Sequence, residues 1–269
     1  MLSTAKYNLI AFYRIFSPTS FVLRFFLPIM TMATAWILYR VIFGSENLKE
    51  TFSLYSSVDY LTFIIISQAV FVYMYACIFQ LGRTFYWERM GGTIEPLFLS
   101  PVSRKMFMLG HLSYAMLNAS IDFIIILIAG FIVFGGKILY LNFYTTIIGF
   151  LLLIISLFGV GLVINGITLS LRDRTNTANI LTSVFFIFSG TIAPVEMLPP
   201  WGQVIGSILP LTYVLRIIRG SFTPNASILD FANEIICLCF ISVISLIIGI
   251  IFLNRIESTL KKHGELTVF

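Results

Sequence analysis

Apolar residues run along this chain in long uninterrupted blocks, and polar residues gather in short patches between them. A helix needs about 20 apolar residues to cross the hydrocarbon core of a bilayer. Six blocks meet that length, over residues 21–43, 60–82, 107–134, 143–171, 175–195 and 235–254. The second holds no charge, and the first carries Arg24 and Arg40 near its two ends, where long side chains can snorkel to the headgroups. The fourth belongs to an uncharged run, Ile138–Leu171, of 34 residues. That is enough for one tilted helix with its flanks and too short for two.

A seventh apolar stretch, over 197–220, has another character. Pro199, Pro200 and Pro210 interrupt it, with Gly202 and Gly206 between. Proline removes a backbone donor, and bare backbone is not tolerated against lipid. The stretch is therefore expected as a re-entrant or interfacial hairpin rather than a span. Residues 1–20 are too polar and interrupted for a signal-peptide core. Leu9, Tyr13 and Phe16 share one helical face there, as in an amphipathic helix lying on the membrane and ended near Pro18.

Charge parity tests the count. Six spans with both termini inside place twelve of the 17 basic residues in inner segments, in accord with the positive-inside rule. Counting the hairpin as a seventh span would export Arg255, Lys261 and Lys262. The expected organisation is thus an interfacial segment over 1–20, a six-helix domain over 21–254 and a cytoplasmic tail over 255–269.

Composition agrees. Hydrophobic residues make up 58% of the 269 and charged residues 11%, with a mean hydropathy of +0.97. Soluble domains carry about 25% charged residues. The fold class is an all-α membrane protein, since a membrane β-barrel would show short alternating segments. Cys77, Cys237 and Cys239 all lie inside apolar runs and lack the clustering that a zinc site or disulfide framework needs. The net charge of +5 follows from the basic inner loops and calls for no nucleic acid.

The patch between the second and third spans, YWERMGGTIEPLFLSPVSRK over Tyr86–Lys105, holds charges of both signs, a Gly pair, a Glu-Pro step and a Ser-Pro step. Trp87-Glu88-Arg89, Gly92-Thr93-Ile94-Glu95-Pro96-Leu97 and Ser100-Pro101-Val102-Ser103-Arg104 resemble the cytoplasmic loop of type-2 ABC exporter permeases. A second match runs through Gly190-Thr191-Ile192-Ala193-Pro194, Met197-Leu198-Pro199-Pro200-Trp201, Leu209-Pro210-Leu211-Thr212-Tyr213 and Arg219-Gly220. It resembles that family's signature around its fifth helix and outer hairpin.

The resemblance implies a half-transporter in the inner membrane of a prokaryote, pairing with a second permease copy as a homodimer and with two copies of an ABC ATPase subunit. ATP and Mg would sit on the ATPase, and no cofactor is expected on this chain. The sequence has no phosphate loop of its own: the nearest text, Gly130 to Lys137, is out of register. In the family the corresponding loop forms a coupling helix at the ATPase interface. The resemblance carries that role to Glu88, Arg89, Gly92, Thr93, Glu95, Pro96, Ser100, Pro101 and Arg104. Exposed charges there can make charge-assisted hydrogen bonds to a soluble partner, and the Ser-Pro step fixes the turn into the next span. The bland alternative is a solvated connecting loop.

Inside the membrane, His111, Asn118 and Asp122, with Tyr114 nearby, fall on one face of the third span. A carboxyl at that depth costs about 2.5–3.5 kcal/mol on insertion scales, so it must face protein or water. Two arrangements fit: a polar strip along a translocation path or proton relay that also takes in Asn165, or interhelical hydrogen bonds with Gln68, Asn165 or Thr168. The structural one is preferred. Gly159, Gly161 and Gly166 permit close helix packing, and Arg172-Asp173-Arg174 reads as a positive-inside anchor. At the hairpin, Pro194, Glu196, Trp201, Pro210, Tyr213, Arg216 and Arg219 are candidates for an outer gate or an interfacial anchor.

The favoured function is the permease subunit of an exporter that moves a lipophilic small molecule, a lipid or a lipid-linked glycan outward. The alternatives are a non-transporting membrane assembly or immunity protein, and an ion-coupled secondary carrier using Asp122. No catalytic or metal-binding constellation is evident: His111 and His263 lie far apart, and no Cys/His/carboxylate cluster has ligand spacing.

Overall fold

Away from water only a helix satisfies every backbone group within its own segment, so the uncharged blocks fold as helices. The computed structural model describes residues 26, 29, 30, 32–34, 37, 60–82, 84, 85, 88, 91–93, 96, 97, 103–134, 142–171, 176–222 and 227–263. The expected amphipathic segment over 1–20, most of the block over 21–43 and the Arg172–Arg174 turn lie outside the described residues. The α-helices with described bounds are, in order, α1 (Tyr60–Gly82), α2 (Arg104–Phe134), α3 (Phe143–Leu171), α4 (Asn176–Phe188), α5 (Pro200–Ile208), α6 (Pro210–Ser221) and α7 (Ala232–His263). Short 3-10 turns precede α5 (Val195–Met197) and α7 (Ile228–Phe231).

Within α1, α2, α3 and α7 lie four segments long and apolar enough to cross a membrane: Thr62–Gly82, Lys105–Ile132, Phe143–Thr168 and, taking in the 3-10 turn before α7, Ile228–Ile256. The apolar stretch of α1 is 72% buried, against 50% for α3, 22% for α2 and 17% for α7. α1 is therefore the axis of the described bundle, packed against α2, α3, α4 and α6. Phe150 of α3 ties three helices together, with its ring 5.0 Å from Tyr73 of α1 and 5.0 Å from Phe123 of α2. Nearer the N-terminal end of α1, Met32 packs with Ile65, Ala69 and Ile126.

The α3–α7 seam is built from small residues. A Cβ on Gly159 would stand 2.4 Å from the Ser245 carbonyl carbon, and one on Gly249 would stand 2.4 Å from the Gly159 oxygen. Backbone meets backbone there, and serines lace the contact. Ser156 and Ser242 hydroxyls lie 2.6 Å apart, and Ser242 also reaches the Leu152 carbonyl at 3.0 Å. Without a hydrophobic force to drive helices together in lipid, close packing and hydrogen bonds of this kind hold them. α7 begins after a capping box in which Ser227 and Asp230 satisfy each other's backbone amides. It continues to His263, through the first part of the segment expected as a tail.

The fifth apolar block departs from the expected span over 175–195. It folds as the 13-residue α4 and then turns, because Gly190 takes φ +81°, a conformation that L side chains rarely adopt. Thirteen residues rise roughly 20 Å, short of the ~30 Å hydrocarbon core. α5 then doubles back onto the end of α4, where a Cβ on Gly206 would stand 2.6 Å from the Phe188 carbonyl oxygen. α5 and α6 meet at 86° across Leu209, with a proline opening each helix at a position where the missing amide costs nothing.

Candidate functional site

The two patches singled out in the sequence lie at opposite ends of α1. At its C-terminal end, Asn165 of α3 is fully buried and reaches across to the chain as it leaves the helix. Its amide nitrogen donates to the carbonyl of Leu81 and, at 2.9 Å, to that of Gly161. Its oxygen accepts the Phe85 amide at 3.4 Å. Thr84 donates back to the Gln80 carbonyl at 3.1 Å, so the exit from α1 is held on both sides. Asn165 is thus a clamp between α3 and α1, bonded apart from the α2 residues with which the sequence grouped it.

Beyond this clamp the chain closes a turn. The Thr93 amide donates to the Glu88 carbonyl at 2.9 Å, and the Thr93 hydroxyl donates to the Glu88 carboxylate at 2.5 Å. Gly92 makes the reversal with φ +66°, and the Leu97 amide then donates to the Thr93 carbonyl at 3.1 Å. Gly92, Thr93 and Pro96 are exposed and Glu88 is half-exposed. A short, solvent-facing ridge with a carboxylate at its base results, and such a ridge can dock by charge-assisted hydrogen bonds. Arg89, Glu95, Ser100 and Pro101 lie outside the described residues; Arg104 opens α2, and its side chain also lies outside them.

On the polar face of α2, His111 reaches across to α1. It is buried, its Nδ1 stands 3.5 Å from Gln80 Nε2 on α1, and its ring meets Phe107 edge-on at 4.7 Å. Asn118 donates to the Tyr114 carbonyl one turn back at 3.3 Å, and Asp122 is half-buried.

At the N-terminal end of α1 the hairpin α5–α6 packs on the helix. The Tyr60 hydroxyl donates to the Ile192 carbonyl at 3.4 Å, and Met197 packs on Tyr60, Phe63 and Ile64. Arg219 is buried here, not exposed as an interfacial anchor would be. Its guanidinium donates to Ser67 Oγ at 3.1 and 2.5 Å and to the Gly190 carbonyl at 2.6 Å, and it lies 3.5 Å from the centre of the Phe63 ring. One side chain therefore joins α6, α1 and the turn after α4. Sequence inspection missed Phe63 and Ser67; the available signal was the second of two arginines in α6, set among Ile217, Ile218 and Gly220, where a charge must find partners.

Nearer the surface, Glu196 and Arg216 form an ion pair at 2.5 Å. Gln203 donates to the carbonyls of Glu196 and Leu198 at 3.1 and 2.8 Å, and Tyr213 to that of Ser207 at 2.8 Å. Pro194 and Pro210 are buried, while Trp201 is exposed beside Phe188, ring centres 5.7 Å apart. Among the described residues no group of three or more His, Cys, Asp or Glu side chains could hold a metal ion. What this arrangement offers is a charged turn at one end of a stiff central helix and a charged hairpin at the other.

Comparison with known proteins gives this arrangement a family. The chain resembles the "Probable multidrug ABC transporter permease YbhR" of Escherichia coli strain K12 and its counterpart in strain O157:H7. Each is 24% identical over 176 residues, covering 64% of this chain and 46% of the relative. The chain thus spans about half the length of the curated relatives it matches. A sequence model of the ABC-2 type transporters matches residues 3–223, a range that takes in the Glu88 turn, the whole of α1 and the bent α5–α6 pair. With that match over most of its length, the chain belongs to the ABC-2 type transporter family.

Proposed function

We propose that this chain is the membrane-spanning half of an ATP-driven exporter, with six crossings, the fifth made by α4 together with the turn that follows it, and both termini on the cytoplasmic face of a prokaryotic inner membrane. Two copies form the path and two ABC ATPase subunits supply the energy. The Glu88–Arg104 loop is the ATPase-facing element, and α5–α6 forms a re-entrant hairpin at the outer face. The basic residues favour this orientation, and membership of the ABC-2 family favours the partnership. The cargo is a lipophilic small molecule, a lipid or a lipid-linked glycan; the name of the E. coli relatives favours a drug-like compound.

The observation that carries the proposal is the placement of the two charged features at opposite ends of α1. Its 23 residues rise roughly 33 Å, about one hydrocarbon thickness. A displacement of the Glu88 turn by an ATPase is delivered to a rigid helix whose far end carries the hairpin, and rigid-body movement of that kind opens or closes a path.

The test is co-expression with candidate ATPases, followed by purification and ATP hydrolysis in lipid. The expected result is a complex of two permeases and two ATPases whose hydrolysis responds to lipophilic compounds. Glu88→Ala and Glu95→Lys should lose transport while inserting normally. Full transport in both, or a folded permease that never retains an ATPase, overturns the proposal.

A further inference from the structure

The hairpin encloses a cavity of about 350 Å³ between the Val195–Met197 turn, α5 and α6. That volume lies at the small end of ligand pockets and suits a headgroup rather than a whole lipid. Its lining combines apolar Val195, Pro200 and Val204 with the charged Glu196 and Arg216. The remaining polar side chains of the lining are engaged with backbone. Gln203 holds the Glu196 and Leu198 carbonyls, Thr212 that of Gly206 and Tyr213 that of Ser207. The ionic groups that face the opening are therefore the paired carboxylate and guanidinium, 39% and 40% exposed. An ion pair so exposed contributes little to stability and is readily exchanged for other partners.

Two further features define what would be exchanged. The charged side chains of the lining are one carboxylate and one guanidinium, Glu196 and Arg216. A lone anion would be opposed by Glu196, and a lone cation by Arg216. Along α5, Trp201, Val204 and Ile208 are 62, 62 and 66% exposed, an apolar face suited to acyl chains. Val204 belongs both to that face and to the cavity wall, so the mouth opens at the boundary between apolar and charged surface.

We propose that this cavity binds the headgroup of a zwitterionic phospholipid, its phosphate on Arg216, its primary ammonium on Glu196 and its acyl chains along α5. The planar guanidinium matches two phosphate oxygens at once, and the carboxylate accepts from the ammonium. Each half of the protein's ion pair then keeps an oppositely charged partner. The site involves no ATPase and no turnover, so it stands or falls apart from the exporter proposal.

The experiment is lipid titration of the purified full-length chain, without ATPase, followed by native mass spectrometry. The probes are phosphatidylethanolamine, phosphatidylglycerol and water-soluble glycerophosphoethanolamine. Wild type is expected to bind phosphatidylethanolamine at least tenfold more tightly than phosphatidylglycerol. Arg216→Ala should lose at least tenfold of that affinity, and Arg216→Lys should restore only part of it, because an ammonium does not match two phosphate oxygens at once. Glu196→Gln should erase the preference between the two lipids, which keeps the test alive if Arg216→Ala fails to fold. Equal binding of the two lipids by wild type, or unchanged preference in Glu196→Gln, overturns the proposal. Glycerophosphoethanolamine binding as tightly as the lipid overturns the membrane source.

Discussion

Arg219 shows how a single residue can decide local structure inside a membrane protein. An unpaired charge in lipid is expensive, yet this guanidinium is buried among a hydroxyl, a carbonyl and an aromatic face. Its planar fork reaches Ser67 and Gly190 together, which the point charge of a lysine does not. Arg219→Lys should therefore fail to rescue what Arg219→Met loses. Leaving the Gly190 carbonyl unsatisfied costs about 1–3 kcal/mol. Both variants should lower the melting temperature in detergent by several degrees and expose the 189–194 turn to proteolysis. A lysine variant that melts with wild type would show that charge alone, rather than the bridge, is what the fold needs. Nothing local in the sequence announced this bridge, because its partners lie 152 and 29 residues away.

Among the elements, the α3–α7 seam makes the clearest contrast between obstacles that can move and obstacles that cannot. A side chain at Gly159 would strike the Ser245–Leu246 backbone, so the helices would have to part. At Gly166 the nearest atoms belong to the Phe252 ring, 2.7 Å away, which can rotate. Gly159→Leu should abolish accumulation of folded protein, whereas Gly166→Ala should accumulate and melt within a few degrees of wild type; size-exclusion profiles and thermal scans read both. Equal damage at the two sites would mean that helix separation, rather than backbone contact, sets the tolerance. That the chain folds as apolar helices was legible in the lengths of its uncharged blocks, since backbone in lipid has few other choices. The division of the fifth block was not, because hydrophobicity runs on past Phe188 and the helix is ended by one glycine in a left-handed conformation. The closed Glu88–Thr93 turn had a partial signal in its Gly pair, while the docking role assigned to it came from resemblance to a family rather than from the residues themselves.

For the whole molecule, the central question is how movement at the Glu88 turn would reach the hairpin. The helix between them is stiff, so the vulnerable joint is the exit from α1, where the chain leaves regular structure. Asn165 holds that joint to α3 through the Leu81 carbonyl and the Phe85 amide, contacts 84 and 80 residues apart in sequence. With the clamp in place, a push on the turn would move α1 and α3 together; without it, the turn would swing while the helices stay. Asn165→Leu keeps nearly the same volume and removes the hydrogen bonds, so the bundle should still assemble and the complex should still hydrolyse ATP. Transport per ATP hydrolysed should fall severalfold, measured by substrate accumulation in inverted vesicles alongside phosphate release. Glu88→Ala should act earlier, by lowering the ATPase retained on purification. If Asn165→Leu leaves the ratio of transport to hydrolysis unchanged, force does not pass through this joint. The α2 contact between His111 and Gln80, which meets α1 at the same end, would then be a further route to test.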